Sequence, residues 1–185
     1  MNFNAHSELE GAHAFLAPSN YHWLNYDEQK LESVYHNVKA KEEGTVLHAF
    51  ASIAIKKRIK LGKFKKALNL FVNDAIGFKM QSEVVLCYSR NAFGTADAID
   101  FKDGVLRIFD LKTGFSKASF NQLDIYAALF CLEYNVDPNK IEIEERIYQF
   151  NGYETNVPSP EHIEEVMEKI VHFDKLVEEF KKHDR

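Results

Sequence analysis

The apolar residues of this chain change their spacing near residue 80. Before that point they recur every three or four positions, the period of an α-helix, which predicts helices over 27–40, 44–61 and 64–78. Gly62 is predicted to end the second helix. The inward face of that helix is predicted to consist of Val46, Leu47, Phe50, Ile53, Ala54 and Ile59.

After residue 80 the apolar runs become short and rich in β-branched and aromatic residues. This pattern predicts three consecutive strands over 83–89, 93–101 and 105–112. A helix over 119–134, a strand over 141–150 and an amphipathic helix over 160–182 are predicted to follow. Such an order of helices and strands is typical of a single α/β (α+β) domain.

The dipeptide Asp103-Gly104 predicts a two-residue hairpin turn between the second and third strands. Counting back from this turn places Asp97 directly opposite Asp110, with β-carbons about 4.5–5.5 Å apart. Opposed carboxylates repel each other, so a shared proton, a basic neighbour or a divalent cation must compensate. Lys112 is expected to project from the same face, because it follows Asp110 by two residues.

The other face of this hairpin is predicted to be apolar and buried, and it carries Ala96, Ala98, Phe109 and Leu111. Asp100 and Arg107 share that face nearer the turn and are interpreted as a cross-strand ion pair. The polar cluster of Asp97, Asp110 and Lys112 therefore stands on an otherwise apolar hairpin.

This polar cluster is suited to metal-assisted phosphoester chemistry. Mg²⁺ usually binds through one or two carboxylates together with waters and substrate phosphate. Lys112 is then placed to orient the attacking water or to stabilise charge in the transition state. The alternative is structural, because Asp-Leu-Lys is a frequent tripeptide and strands often carry exposed charges.

Four motifs occur in order along the chain. They are Gly44-Thr45-Val46-Leu47-His48, Gly94-Thr95-Ala96-Asp97, Asp110-Leu111-Lys112-Thr113-Gly114 and Gln122-Leu123-Asp124-Ile125-Tyr126. Together they strongly resemble the G-T-x-x-H, G-x-x-D, D-x-K-T-G and Q-x-x-x-Y motifs of the PD-(D/E)XK nuclease superfamily in its RecB-like branch. The resemblance covers residues 43–126, with a weaker likeness at 18–23.

The resemblance implies a restriction-endonuclease-like core, in which helices flank a central mixed sheet with an antiparallel hairpin. It implies that His48, Asp97 and Asp110 bind Mg²⁺ or Mn²⁺, with the Leu111 carbonyl as a further ligand. Lys112 would be the catalytic lysine. Gln122 and Tyr126, neighbours on one helix face, would flank the active centre and contact substrate. Glu83, at the start of the first strand, is a further candidate for the site.

The chain has 185 residues, enough for one domain, and its net charge is −5. We expect a single nuclease domain over 1–185, with an N-terminal extension and helix over 1–43, a core over 44–150 and a C-terminal helix over 159–183. Seven basic residues without an intervening acid occupy 56–66, which we call the basic strip. Its candidate nucleic-acid-binding residues are Lys57, Lys60, Lys63 and Lys66; the alternative is a solvated helix face.

Cys87 and Cys131 lie in apolar patterns and are predicted core residues. Two cysteines are too few for the four-cysteine iron–sulfur site of some RecB-like relatives, so one chain cannot build that site. No apolar run reaches the length of a membrane span, and the start of the chain lacks a signal pattern, so a cytoplasmic protein without membrane attachment is expected.

The expected activity is that of a Mg²⁺- or Mn²⁺-dependent deoxyribonuclease, by family analogy an exonuclease of recombination, repair or phage DNA metabolism. Its expected partner is DNA, and a recombination or replication protein is a further candidate. Two alternatives remain open. One is a non-catalytic nucleic-acid-binding module on a nuclease fold, and the other is a metal-dependent hydrolase of another phosphoester, which would not need the basic strip to face the cleft.

Overall fold

Four helices and five strands make up most of the described chain. The computed structural model describes residue 7 and residues 14–114 and 117–183. The helices are α1 (Glu28–Lys56), α2 (Ala67–Gly77), α3 (Asn121–Tyr134) and α4 (Pro160–His183). The strands are β1 (Gln81–Ser89), β2 (Ala92–Lys102), β3 (Val105–Leu111), β4 (Glu142–Gln149) and β5 (Gly152–Asn156).

The chain divides into two compact units between Glu43 and Gly44, a boundary that lies within α1. The first unit contains a 3-10 segment, Pro18–Asn25, before α1. The candidate residues of the sequence all belong to the second unit. Among the described residues, no helix combines the length and the apolar composition that crossing a membrane requires.

The five strands form one sheet in the order β1-β2-β3-β4-β5. All neighbours are antiparallel except β3 and β4, which run parallel because α3 connects them as a crossover. One face of the sheet packs on α3 and α4, and the other packs on α2 and the C-terminal part of α1. The expected α/β class, with a mixed sheet flanked by helices, is confirmed. The hairpin from β4 to β5 was not predicted.

The first half of the sequence was predicted less well than the second. Two helices were expected over 27–40 and 44–61, but α1 is continuous and ends at Lys56 rather than near Gly62. The predicted apolar stripe was wrong for most of its members, since Val46, Leu47, Phe50 and Ile53 are exposed. The buried face consists of Ala51, Ser52, Ala54 and Ile55. Small side chains let the helix lie close to the sheet, and a pattern of large apolar residues does not reveal them.

Two further sequence interpretations need correction. Arg107 lies opposite Asp100 in the ladder, but its guanidinium donates to Glu144 on the neighbouring strand β4, with Nε 3.1 Å from Oε2. The Phe78 ring also lies under this guanidinium and helps to hold it there. Cys87 is exposed at the edge strand rather than in the core, whereas Cys131 is buried as predicted.

Candidate active site

The β2–β3 hairpin has the register that the Asp-Gly turn predicts. Lys102 pairs with Val105 at the turn, and the ladder continues without a shift to Ala98 and Phe109. Asp103 and Gly104 both have positive φ angles, as this type of tight turn requires. The predicted apolar face is confirmed, because Ala96, Ala98, Phe109 and Leu111 are all buried.

Asp97 and Asp110 lie one step beyond the last paired residues of this hairpin. Asp97 does not simply face Asp110, because its Oδ2 accepts a hydrogen bond from the Leu111 backbone N–H at 2.9 Å. This bond fixes the orientation of the Asp97 carboxylate. The structure thus gives Leu111 a role through its N–H, while a role for its carbonyl as a metal ligand stays a prediction.

His48, Glu83 and Asp97 form the closest group of potential metal ligands among the described residues. Each offers one ligand atom, and these atoms all lie within 4.8 Å of one another. His48 comes from α1, Glu83 from β1 and Asp97 from β2. His48 Nδ1 lies 3.2 Å from Asp97 Oδ1, so the ring N–H donates to the carboxylate. Nitrogen and oxygen donors of this kind suit Mn²⁺ and, through the carboxylates, Mg²⁺.

Glu83 reaches this group through an unusual backbone conformation. Its neighbours Ser82 and Val84 pair with Ala98 and Ala96 on β2, but Glu83 itself makes no ladder pair opposite Asp97. Its φ angle is 55°, in the left-handed region, which costs a non-glycine residue about 1–2 kcal/mol. Strain of this size persists only where the surrounding structure maintains it, and it concentrates at functional sites.

Asp110 and Lys112 form the second half of the site. Asp110 is 3% exposed, and its Oδ1 accepts a hydrogen bond from Lys112 Nζ at 3.1 Å. Asp110 Oδ2 lies 2.9 Å from the same nitrogen, but the angle is too poor for a second hydrogen bond. Asp110 therefore pairs with Lys112 rather than joining the closest ligand group, and its role as a metal ligand stays a prediction.

The electrostatics of the site show an excess of negative charge. Burial, reinforced by the nearby Asp97 carboxylate, raises the pKa of Asp110 although Lys112 opposes the shift. The hydrogen bond that His48 donates to Asp97 raises the pKa of His48, and the charges of Asp97, Asp110 and Glu83 add to this effect although burial opposes it. Both shifts have the same meaning: the cluster favours additional positive charge, whether a proton or a cation.

Besides Asp110, a chain of hydrogen bonds through residues of α3 positions Lys112. Lys112 Nζ donates to Gln122 Oε1 at 2.6 Å, and Gln122 Nε2 donates to the Tyr126 hydroxyl at 3.1 Å. The Tyr126 hydroxyl in turn donates to the Thr95 carbonyl at 2.6 Å. Because an ammonium only donates, the Gln122 amide must present its oxygen to Lys112, which sets the direction of the whole chain. Burial raises the pKa of Tyr126, which keeps its hydroxyl protonated for this donation.

Two glycines bring the four sequence motifs into contact. A β-carbon at Gly44 would lie 2.5 Å from the Thr113 hydroxyl oxygen, and one at Gly94 would lie 2.9 Å from the Tyr126 ring. Each glycine therefore leaves space for a residue of another motif. The close approach of Thr113 also explains why a glycine occurs at position 44, inside the continuous helix α1.

The basic strip lies in the irregular connection between α1 and α2. Its basic side chains are exposed, and the helix expected to begin at residue 64 begins only at Ala67. Lys66 differs from Lys57, Lys60 and Lys63 in that it lines a cavity of about 440 Å³ together with Lys112. One end of the strip thus reaches the candidate active site.

The sequence interpretation missed the part of the site that the β4–β5 turn contributes. Phe150 and Asn151 form this turn and line the cavity beside Lys112. The turn-forming residues Asn151 and Gly152, directly after a predicted strand, are the signal that would have indicated a hairpin here.

The chain matches no protein-family model, no curated protein and no solved structure in the three comparisons made with it. What this site can do therefore follows from its own side chains and their geometry.

Proposed function

We propose that this protein is a Mg²⁺- or Mn²⁺-dependent nuclease that hydrolyses phosphodiester bonds in DNA, on a core of the PD-(D/E)XK type. The observation that carries the proposal is the juxtaposition of two groups at the β2–β3 hairpin, which contributes Asp97 to the first group and Asp110 to the second. The His48–Glu83–Asp97 group offers metal ligands, and the Asp110–Lys112 pair lies next to it. A lysine held beside a metal-binding cluster is an arrangement that suits phosphodiester hydrolysis.

The residues present fit a divalent cation. His48, Glu83 and Asp97 would hold it, and the buried carboxylate of Asp110, which is paired with Lys112, adds negative charge beside it. The cation would supply positive charge to the phosphate and increase the acidity of a water molecule. It would also relieve the repulsion between Asp97 and Asp110, which adds to the effect of burial in raising the pKa of Asp110.

Lys112 would stabilise negative charge that develops on the phosphate during the reaction. Asp110 and Gln122 restrain its ammonium group from two sides, so little reorganisation is needed when the charge appears. Tyr126 holds Gln122 and therefore acts on Lys112 indirectly. Gln122 is exposed and can also contact a substrate strand, whereas Tyr126 is buried and supports Gln122 from below.

DNA is the proposed substrate because the basic strip ends at this site. Lys66 and Lys112 line one cavity, and Lys57, Lys60 and Lys63 are exposed on the connection that precedes Lys66. Several exposed cations in the segment that reaches the site suit a polyanionic chain better than a small phosphoester. Action at DNA ends, as an exonuclease, is proposed by analogy with the RecB-like branch.

Mn²⁺ should enable the protein to degrade end-labelled linear DNA, and Asp97→Asn should abolish both cleavage and calorimetric binding of Mn²⁺. Asparagine keeps the shape of the side chain but removes the charge that binds the cation and His48. Asp100→Asn, three residues further along β2, is the matched control and should keep both properties. Covalently closed DNA should resist an exonuclease. Equal binding of Mn²⁺ by native protein and Asp97→Asn would contradict the proposed site, and metal binding without cleavage would favour a non-catalytic DNA-binding module.

The basic strip predicts a salt dependence of DNA binding. If four lysines contact phosphates, the logarithm of the affinity should fall with the logarithm of salt concentration with a slope of about −3.6. Replacing Lys57, Lys60, Lys63 and Lys66 by glutamine should flatten this slope and weaken binding to every sequence alike. The matched control changes four exposed lysines elsewhere, Lys140, Lys169, Lys175 and Lys182. Equal slopes in the two variants would mean that DNA does not contact the strip.

A further inference from the structure

The cavity beside Lys112 has features that the proposed hydrolysis does not use. Its volume is about 440 Å³, within the range of small-ligand sites. Leu47 and Leu68 give it apolar walls, while Lys66, Lys112 and Asn151 line it with polar groups. A space with apolar walls and two cations fits a ligand with a flat apolar part and a negative charge.

Phe150 at this cavity is both exposed and strained. Its side chain is 59% exposed, and its φ angle of 56° is a conformation that large side chains rarely adopt. It is the first of the two residues between Gln149 and Gly152, where such an angle normally requires Gly, Asn or Asp. Folding stability does not explain an exposed aromatic ring in this strained turn, because a glycine at position 150 would relieve the strain and expose less apolar surface.

Hydrogen bonds hold this strained turn in place against the site. The Ala67 N–H donates to the Phe150 carbonyl at 3.1 Å, which brings the residue after Lys66 against the turn. Gln149 Nε2 donates to the Gly114 carbonyl at 2.7 Å, which attaches the same turn to the segment that follows Lys112. Phe150, Lys66 and Lys112 are therefore fixed around one space.

We propose that this cavity binds one unpaired nucleotide of the DNA substrate, next to the phosphodiester that is cleaved. Phe150 stacks on the base, and Lys66 binds the phosphate of that nucleotide. Lys112 lines the same cavity, so the neighbouring phosphate reaches the catalytic group. This inference rests on the proposed nuclease function and specifies its substrate, a single strand or a frayed end.

The size and the charges favour a nucleotide over other occupants. The space of about 440 Å³ is partly open to solvent, and its size suits one unpaired nucleotide better than a base pair. The exposed Lys66 favours an anion, because an apolar peptide would offer its ammonium group no partner, whereas Lys112 is already paired with Asp110 and Gln122. Stacking of a base on an aromatic ring contributes about 1–3 kcal/mol, which makes Phe150 the residue with the largest expected effect on binding.

The test uses single-stranded oligonucleotides that carry 2-aminopurine at the 5′ or the 3′ terminal position, in buffer with EDTA so that no cleavage occurs. Stacking on Phe150 should quench the fluorescence at one of the two ends. Phe150→Ala should abolish the quenching and weaken single-strand binding about tenfold to a hundredfold. Phe150→Trp should restore both, and Lys66→Gln should weaken binding while leaving the quenching of the bound strand intact.

Phe173→Ala is the matched control, because Phe173 on α4 is 58% exposed, nearly as much as Phe150. A blunt duplex with the same terminal base should bind less tightly than the single strand, and Phe150→Ala should change its affinity less. Unquenched 2-aminopurine at both ends, or equal effects of Phe150→Ala and Phe173→Ala, would overturn the proposal. Cleavage with Mn²⁺, measured on the same preparations, tests the nuclease function separately from the nucleotide-binding cavity. Quenching without cleavage would refute only the nuclease function. Cleavage without quenching would refute only the nucleotide-binding cavity.

Discussion

Replacing Lys112 by alanine is expected to lower the turnover number by about 100- to 1000-fold while the affinity for DNA changes little. The ammonium group is held between Asp110 and Gln122, where it can stabilise charge that exists only in the transition state. Single-turnover cleavage at saturating enzyme gives the rate of the chemical step. Binding measured with EDTA present gives the affinity separately.

Lys117→Ala is a suitable control for this change, because Lys117 is a nearby lysine whose side chain is 79% exposed. It should alter neither the rate nor the affinity by more than a few-fold. Alanine at position 112 also leaves Asp110 buried without its cation, so the melting temperature of the variant must be measured alongside. A loss of affinity with turnover preserved would reassign Lys112 to phosphate anchoring.

Replacing Glu145 by glutamine is expected to stabilise the protein at pH 8 and to leave its stability nearly unchanged at pH 5. Glu145 is completely buried on β4, and burial, together with the nearby Asp124, raises its pKa to about 8. Its Oε2 accepts a hydrogen bond from Asn156 Nδ2 at 2.8 Å, which the glutamine oxygen can also accept. Glutamine therefore resembles the protonated side chain but cannot ionise.

The sign of this effect follows from the two pKa values of Glu145. Between the ordinary value of 4.5 and about 8, the folded protein keeps a proton that the unfolded chain has released. Below pH 4.5 the contribution of Glu145 to the free energy of unfolding is fully present. It falls by about 1.4 kcal/mol per pH unit between pH 4.5 and about 8, and it changes no further at higher pH.

Urea unfolding of native protein and Glu145→Gln at several pH values from 5 to 9 measures this difference directly. Contributions from titrating groups that do not interact with Glu145 are common to both proteins and cancel in the comparison. Glu142→Gln, at an exposed position of the same strand, should give a curve parallel to that of the native protein. A constant difference between native protein and Glu145→Gln from pH 5 to 9 would show that Glu145 does not titrate in this window.

The hairpin at the centre of the site could be predicted because its signals are local. Asp103-Gly104 determines the turn, and the two-residue period of a strand then determines which side chains share a face. The pairing of Lys112 with Asp110 follows from the same period. The helix that carries Gln122 and Tyr126 was also recognisable, and its contact with Lys112 agrees with the order of the motifs.

Features that depend on distant contacts were not predictable in the same way. Glu83 was only a further candidate in the sequence. Its approach to His48 depends on its positive φ angle, and no local sequence pattern indicates that angle. A second helix was predicted to begin at residue 44, yet Gly44 lies inside the continuous helix α1, where it leaves space for Thr113. The sequence also did not predict that Asp97 would contact His48 while Asp110 contacts Lys112, because these contacts depend on side-chain geometry.

The contact between His48 and Asp97 joins residues that are 49 positions apart in the sequence. His48 lies on α1, whereas Glu83 and Asp97 lie on adjacent strands, so the ligand group exists only while the C-terminal part of α1 is folded against the sheet. A cation bound by all three groups would therefore slow hydrogen exchange in this part of α1. Local opening of the helix and loss of the ligand group would then be a single linked equilibrium, and a bound cation would make that opening less frequent.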